Sequence, residues 1–413
     1  MGELQVEVEP RDVGIDAARL SRLPAYLDGL VDAGRMPGWQ LALSRAGRLA
    51  YVGSGGFRHA EQRVPVEADT IWRIYSMTKP ITSVAAMMLW EEGAFELSDP
   101  VSAFLPSFAD VRVYAGGSDL RPVTVPAQEP IRIWHLLTHT AGLTYGFHRV
   151  HPSDALLRAA GYEWNYAPDV TLAQAVDAWA SVPLLFQPGA EWNYSLATDV
   201  LGRVVEVVSG LRLDRFFAER ILGPLGMTDT SFGVAERDPA DADRLARLYA
   251  ATPSRRLVPA DAVGAPFTRP ATAHSGGGGL VSTVRDYHRF VLMLRGGGEL
   301  DGVRVLGPRT VAMVTRNHLP GGADLDSFGR PLYAETPYRG VGFGLGFAVV
   351  LDPVAFRSAA SPGEYSWGGA ASTAFWVDPV EDITAVFMTS VFPSSALPVR
   401  SMLRQLVAQA LVD

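Results

Sequence analysis

"WQLALSRAGRLAYVGSGG", residues 39–56, holds two apolar runs separated by Arg45-Ala46-Gly47. Apolar runs of this length around a short Gly-containing turn predict a pair of hairpin strands. A second pair lies far along the chain, in "STAFWVDP" (372–379) and "ITAVFMTSV" (383–391), divided around Asp378-Pro379. Helical periodicity flanks both pairs: "DAARLSRLPAYLDGLVDAG" (16–34) precedes the first and "LPVRSMLRQLVAQALV" (397–412) follows the second. Terminal helices beside terminal strands predict a central antiparallel sheet, flanked by helices and built from both chain ends. The fold class is α/β in the broad sense, an α+β arrangement.

The middle of the chain differs. "TKPITSVAAMMLWEEG" (78–93), "TLAQAVDAWASV" (171–182), "SLATDVLGRVVEVVSG" (195–210) and "RLDRFFAERIL" (212–222) read as helices. Pro- and Gly-rich connectors such as "AGGSDLRPVTVPAQEP" (115–130) divide them. A further helix, "TVRDYHRFVLMLRGGG" (283–298), runs into glycines, a common helix stop. The predicted organisation is a discontinuous α/β domain at 1–90 and 270–413. A mainly helical domain at 91–269 is inserted in it, with the active site between the two.

Composition narrows the function. The 413 residues are 48% hydrophobic and 19% charged, enough for a large core. A net charge of −8, with arginines scattered, argues against nucleic acid or a membrane as partner and leaves a small molecule. The absence of cysteine excludes disulfides, thiolate metal sites and a cysteine nucleophile. "MGELQVEVEPRD" lacks the basic and apolar regions of a signal peptide, and no apolar run approaches a membrane span. A cytoplasmic protein is expected.

Within "RIYSMTKPITSV" (73–84) stands Lys79, the single lysine of a chain with 36 Lys+Arg. Arginine stays protonated, whereas a buried lysine can lose its proton and serve as a base. Ser76 lies three residues earlier, a spacing that brings two side chains onto one helix face. Pro80 suits a first helical turn, so Ser76 is expected at the helix mouth, where free amides favour developing negative charge. That is the arrangement of an activated nucleophile. Base action near neutrality requires the lysine to fall by roughly three pKa units. Tyr194, in "PGAEWNYSLATDVLG" (188–202), is a candidate relay that a nearby ammonium would make easier to ionise. In "EYSWGGAASTAFWVDP" (364–379), Trp367, Gly368 and Gly369 offer a wall that a ligand can approach closely, and the Ala370 amide can join that of Ser76 as an oxyanion hole.

"SMTK", "PGAEWNYS" and "WGG" follow one another as in the serine β-lactamase and penicillin-binding-protein superfamily. With "IRIWHLLTHTAGL" (131–143), "LGPLGMTDTSF" (222–232) and "GGGGLVSTVRDYHRFVLMLRGGG" (276–298), the resemblance runs from about residue 15 to the end. It is nearest to class C β-lactamases and to the family VIII carboxylesterases built on their fold. The resemblance implies Ser76 as the acylated nucleophile, Lys79 and Tyr194 as its base system, and Ser76 and Ala370 as oxyanion amides. Two departures point to the esterase branch. Tyr194-Ser195-Leu196 lacks the asparagine of the lactamase Y-x-N, and Trp367 replaces the lysine of K-T-G. Trp367 instead offers an apolar wall to a neutral ester.

The expected activity is therefore a cofactor-free carboxylesterase working through an acyl-enzyme, with no metal. A cephalosporinase-like β-lactamase, or a promiscuous esterase with weak lactamase activity, is the alternative, followed by a transacylase, a D-amino-acid peptidase and a receptor that acylates without turnover. His135 and His139 have metal-ligand spacing, but no carboxylate accompanies them and packing is the expected use. G-x-S-x-G, Walker and G-x-G-x-x-G motifs are all absent.

Overall fold

The computed structural model describes residues 4–164, 166, 169–235, 237–238, 240–330 and 338–412. Its centre is an eight-stranded sheet. The strands in chain order are β1 (Gly38–Arg45), β2 (Arg48–His59), β3 (Val64–Pro65), β4 (Val341–Phe343), β5 (Ala348–Val350), β6 (Tyr365–Gly368), β7 (Ala374–Asp378) and β8 (Ile383–Thr389). They lie in the order β4-β5-β6-β7-β8-β1-β2-β3, every neighbour antiparallel. The expected hairpin is β1–β2, closed by Ala46 and Gly47 with φ of 52° and 73°. Two successive positive φ values match the twist of paired strands.

The β1–β8 seam joins the two ends of the chain, with Leu41 opposite Phe387 and Leu43 opposite Ala385. Nearly every residue of β1 and all of β8 is buried, because helices cover both faces of the sheet. On one face lie α1 (Arg22–Asp32) and the C-terminal helix Arg400–Ala408. Leu23, Leu27, Leu403 and Val407 pack there on Leu41, Leu43 and Phe387. On the other face α2 (Thr78–Glu91), α3 (Ala197–Ser209) and α4 (Val284–Arg295) share a core with Ala42, Val386 and Met388. Alternation along β1 thus sends neighbouring residues into two different cores.

Three details depart from the sequence reading. "AGGSDLRPVTVPAQEP" contains half of a hairpin, Arg112–Gly117 with Pro122–Pro126, because alternating Val123, Thr124 and Val125 favour strand despite the flanking prolines. Helix 16–34 breaks into Ala17–Leu20 and α1 around Ser21. Helix 212–222 is α-helical only over Leu213–Phe217 and continues as a wider turn through Ala218–Leu222. No helix among the described residues is long and apolar enough to cross a membrane.

Phe387 is fully buried in the seam. Phe387→Ala is expected to lower unfolding free energy by about 3–5 kcal/mol, read as a lower midpoint in denaturant titration.

Candidate active site

Strand pairing delivers the chain to Ser76. Trp72–Arg73 pairs antiparallel with Val281–Ser282, and a single 3₁₀ turn, Tyr75–Met77, then leads into α2. Helix α2 therefore starts at Thr78, with Ser76 just ahead of it and Pro80 in its first turn. Side chains clamp this entry. Thr78 Oγ1 accepts from the Leu280 amide at 3.1 Å, Thr82 Oγ1 donates to the Gly276 carbonyl at 2.7 Å, and Tyr287 Oη donates to the Met77 carbonyl at 2.8 Å. Tyr75 holds φ of +43°, an unusual conformation for a bulky residue that costs about 1–3 kcal/mol.

Lys79 is buried, 1% exposed, with Nζ 3.3 Å from Ser76 Oγ. The amine also donates to the Gly277 carbonyl at 2.6 Å and to Tyr145 Oη at 3.0 Å, and lies 4.6 Å from the Tyr194 ring centre. Burial lowers its pKa to about 7 against the opposing charge of Asp199. That shift corresponds to about 5 kcal/mol of lost preference for the charged form. The free amine is thus available near neutral pH.

Tyr194 meets both groups. Its hydroxyl interacts with the side chains of Ser76 and Trp367, yet burial outweighs these contacts and pushes its pKa up. The expectation of an easily ionised phenol is therefore corrected: beside a deprotonated amine, in an apolar setting, Tyr194 stays a neutral hydrogen-bonding group. His139 holds it from behind. The His139 carbonyl accepts from the Asn193 amide at 3.0 Å and its Nδ1 lies 3.2 Å from Ser195 Oγ, gripping residues on both sides of the tyrosine. His135 instead accepts from the Arg132 amide at 3.1 Å and caps its own short helix.

Trp367 and Gly368 lie within β6, the third strand from one side of the sheet, rather than in a turn or on an outer strand. Neighbouring β5 pairs only as far as Ser366, so beyond it this side of β6 is unpaired. Gly369 follows, and a side chain there would strike the Ile74 carbonyl. The glycine thus admits the backbone of Ile74, two residues before Ser76. Neither the Ser76 nor the Ala370 amide donates to another described residue, leaving both N–H groups for a ligand. Ser76, Tyr194, Trp367, Gly368, Gly369 and Ala370 line a single cavity of about 1000 Å³.

Tyr145 escaped the sequence reading. It contacts the amine from 66 residues away, is pushed far up by burial, and begins an aromatic stack. Phe147 lies 4.6 Å from it and Trp164 lies 4.4 Å from Phe147, both nearly parallel. The only local signal was "TYGF", an aromatic and glycine cluster after a buried helix.

The β-lactamase family model matches residues 23–409, so the chain belongs to that family. It is 38% identical to protein Rv1367c of Mycobacterium tuberculosis over 89% of each chain. It is 30% identical to esterase EstB of Burkholderia gladioli over 93% of each. The solved structure of EstCE1, titled a hydrolase with promiscuous acyltransferase activity, superposes with a TM-score of 0.80 at 28% identity, covering 95% of this chain and 99% of that one. The chain is thus a hydrolase or acyl-transfer enzyme of the serine β-lactamase fold.

Tyr145→Phe removes one of the three oxygens around the amine while keeping the stacked ring. It is expected to slow labelling of Ser76 by a fluorophosphonate about tenfold, with the melting temperature little changed.

Proposed function

We infer that the protein is a serine carboxylesterase that hydrolyses small carboxylic esters through an acyl-enzyme on Ser76. The observation that carries this reading is the amine of Lys79, 3.3 Å from the serine oxygen and lowered by burial to a pKa of about 7. Lys79 takes the Ser76 proton as Oγ attacks the ester carbonyl carbon. The Ser76 and Ala370 amides receive the oxyanion that forms. Collapse breaks the bond to the alkoxide, which recovers the proton from Lys79, with Tyr194 relaying it. Water, activated by the same pair, then adds to the acyl carbonyl, and its collapse frees the acid and restores Ser76.

The ester preference rests on what faces the substrate. Trp367 stands where a lactamase lysine is expected and presents an indole, and Leu196 replaces the amide-gripping asparagine. EstB carries the name esterase on the same family frame. A chromogenic cephalosporin is accordingly a poor substrate in this reading.

A second reading, acyl transfer to an alcohol, is favoured by the size of the cavity. About 1000 Å³ walled by Phe147, Trp164, Phe267 and Phe392 exceeds what a small ester fills. EstCE1 is a hydrolase with promiscuous acyltransferase activity. Added alcohol that diverts the acyl group into a new ester, at unchanged p-nitrophenol release, marks transfer.

The test is hydrolysis of p-nitrophenyl acetate. Ser76→Ala is expected to abolish it, and Lys79→Arg to reduce it by about a thousandfold or more, because a guanidinium keeps its proton. An active Lys79→Arg enzyme rules the mechanism out. Since the base must be the free amine, kcat/KM should be low at acid pH and rise through about pH 7 to a plateau. A profile flat from pH 5 to 9 contradicts that role.

A further inference from the structure

Lys79 reaches Ser76 from a fixed place because Gly277 holds it, and Gly277 is itself held from behind. Its carbonyl accepts from Lys79 Nζ at 2.6 Å, while its N–H donates to Asp199 Oδ1 at 3.0 Å. One residue of backbone therefore links a carboxylate on α3 to the amine on α2. The same Oδ1 accepts from Tyr166 Oη at 2.6 Å and from Ser275 Oγ at 2.5 Å. Asp199 is buried, and three converging donors give its carboxylate the support that burial demands. A side chain at position 277 would collide with Asp199 Oδ2, so the glycine-rich run "SGGGG" (275–279) can close on the carboxylate only because it lacks one there.

Asp199 makes no hydrogen bond to Ser76, and the carbonyl it steadies belongs to Gly277. We propose that Asp199 is a positioning residue for acyl transfer: through Gly277 it aims the Lys79 amine at Ser76 and lays a fixed negative charge beneath it. This rests on reading Ser76 and Lys79 as nucleophile and base. The charge of Asp199 draws the lysine towards its protonated form, against burial. The titratable groups facing Lys79 from other elements are the phenols of Tyr145 and Tyr194 and the imidazole of His139. Burial keeps all three uncharged near neutral pH. Arg400 acts on Tyr194, and Glu206 on Tyr166, at one remove from the amine. Asp199 is the anion that sets the balance.

The chain's single lysine makes this directly measurable. Protein grown with ¹³Cε,¹⁵Nζ-lysine gives one side-chain signal, whose titration reads the amine without turnover. In Asp199→Asn the titration is expected to move down by about one pH unit, and the acid limb of kcat/KM for p-nitrophenyl acetate to move with it. The plateau should fall about tenfold as the amine loses its aim. Tyr166→Phe leaves the carboxylate one donor fewer and should move the titration upward. An Asp199→Asn protein that melts normally and titrates like the parent overturns the proposal. If that variant does not fold, Tyr166→Phe decides: an upward move supports the role, and an unmoved signal overturns it. Absence of Ser76-dependent turnover in the parent would strike the esterase reading instead, while the lysine titration still judges Asp199.

Discussion

Taking one amine out of water is the constraint on which the site is built. An ammonium ion buried without compensation is so unfavourable that the group neutralises instead. The direct partners of Lys79 are a carbonyl, a phenol and a serine hydroxyl, none of them charged. A carboxylate in direct contact would hold the proton on the amine. Asp199, the acid that acts on the amine, stands behind it across one residue of backbone. That distance keeps the lysine close to neutrality without letting it fall far below.

The fold supplies the dryness. Helix α2 is buried along almost its whole length and packs closely on α3, so its first turn is sealed as thoroughly as its middle. Four separate segments then close over that turn: the 3₁₀ entry, the loop carrying Tyr145, the approach to α3 carrying Tyr194, and the glycine run before Leu280. Hydrogen bonds join the Tyr145 loop to the Tyr194 approach, from Asn193 Nδ2 to the Leu143 carbonyl at 2.9 Å, and the glycine run to the helix start, from Thr82 Oγ1 to the Gly276 carbonyl at 2.7 Å. The open end of β6 leaves one side uncovered, and this is where a substrate carbonyl can meet the two idle amides.

How far the sequence revealed this depends on whether each signal was local. The β1–β2 hairpin and the terminal helices were legible because periodicity and turn chemistry act over a few residues. Ser76 and Lys79 were legible because a lone lysine at helical spacing from a serine is chemically conspicuous. Tyr194, Trp367 and Ala370 were candidates from local chemistry whose joint use the resemblance implied, and the structure places all three with Ser76 on one cavity. Tyr145 was not legible, since it lies in an aperiodic loop and meets the amine only through space. Asp199 looked like an ordinary polar residue on an amphipathic helix. The state of Tyr194 was misread for a related reason. Burial, which a sequence does not display, outweighs the neighbours that would ionise it. The hairpin in 112–126 was hidden by prolines and glycines whose turn signals masked three alternating strand residues.

The seam between β1 and β8 has a consequence for biogenesis. Thr389 hydroxyl bonds to the Gly38 carbonyl across 351 positions of sequence, and the whole ladder is comparably long-range. During synthesis the β1–β2 ribbon leaves the ribosome with one apolar border uncapped, and its mate is made only when translation is nearly over. Such an unpaired border is a template for wrong partners on neighbouring nascent chains. Recombinant yield should therefore respond to translation speed and to chaperones that shield the early ribbon, more than to any change at Ser76.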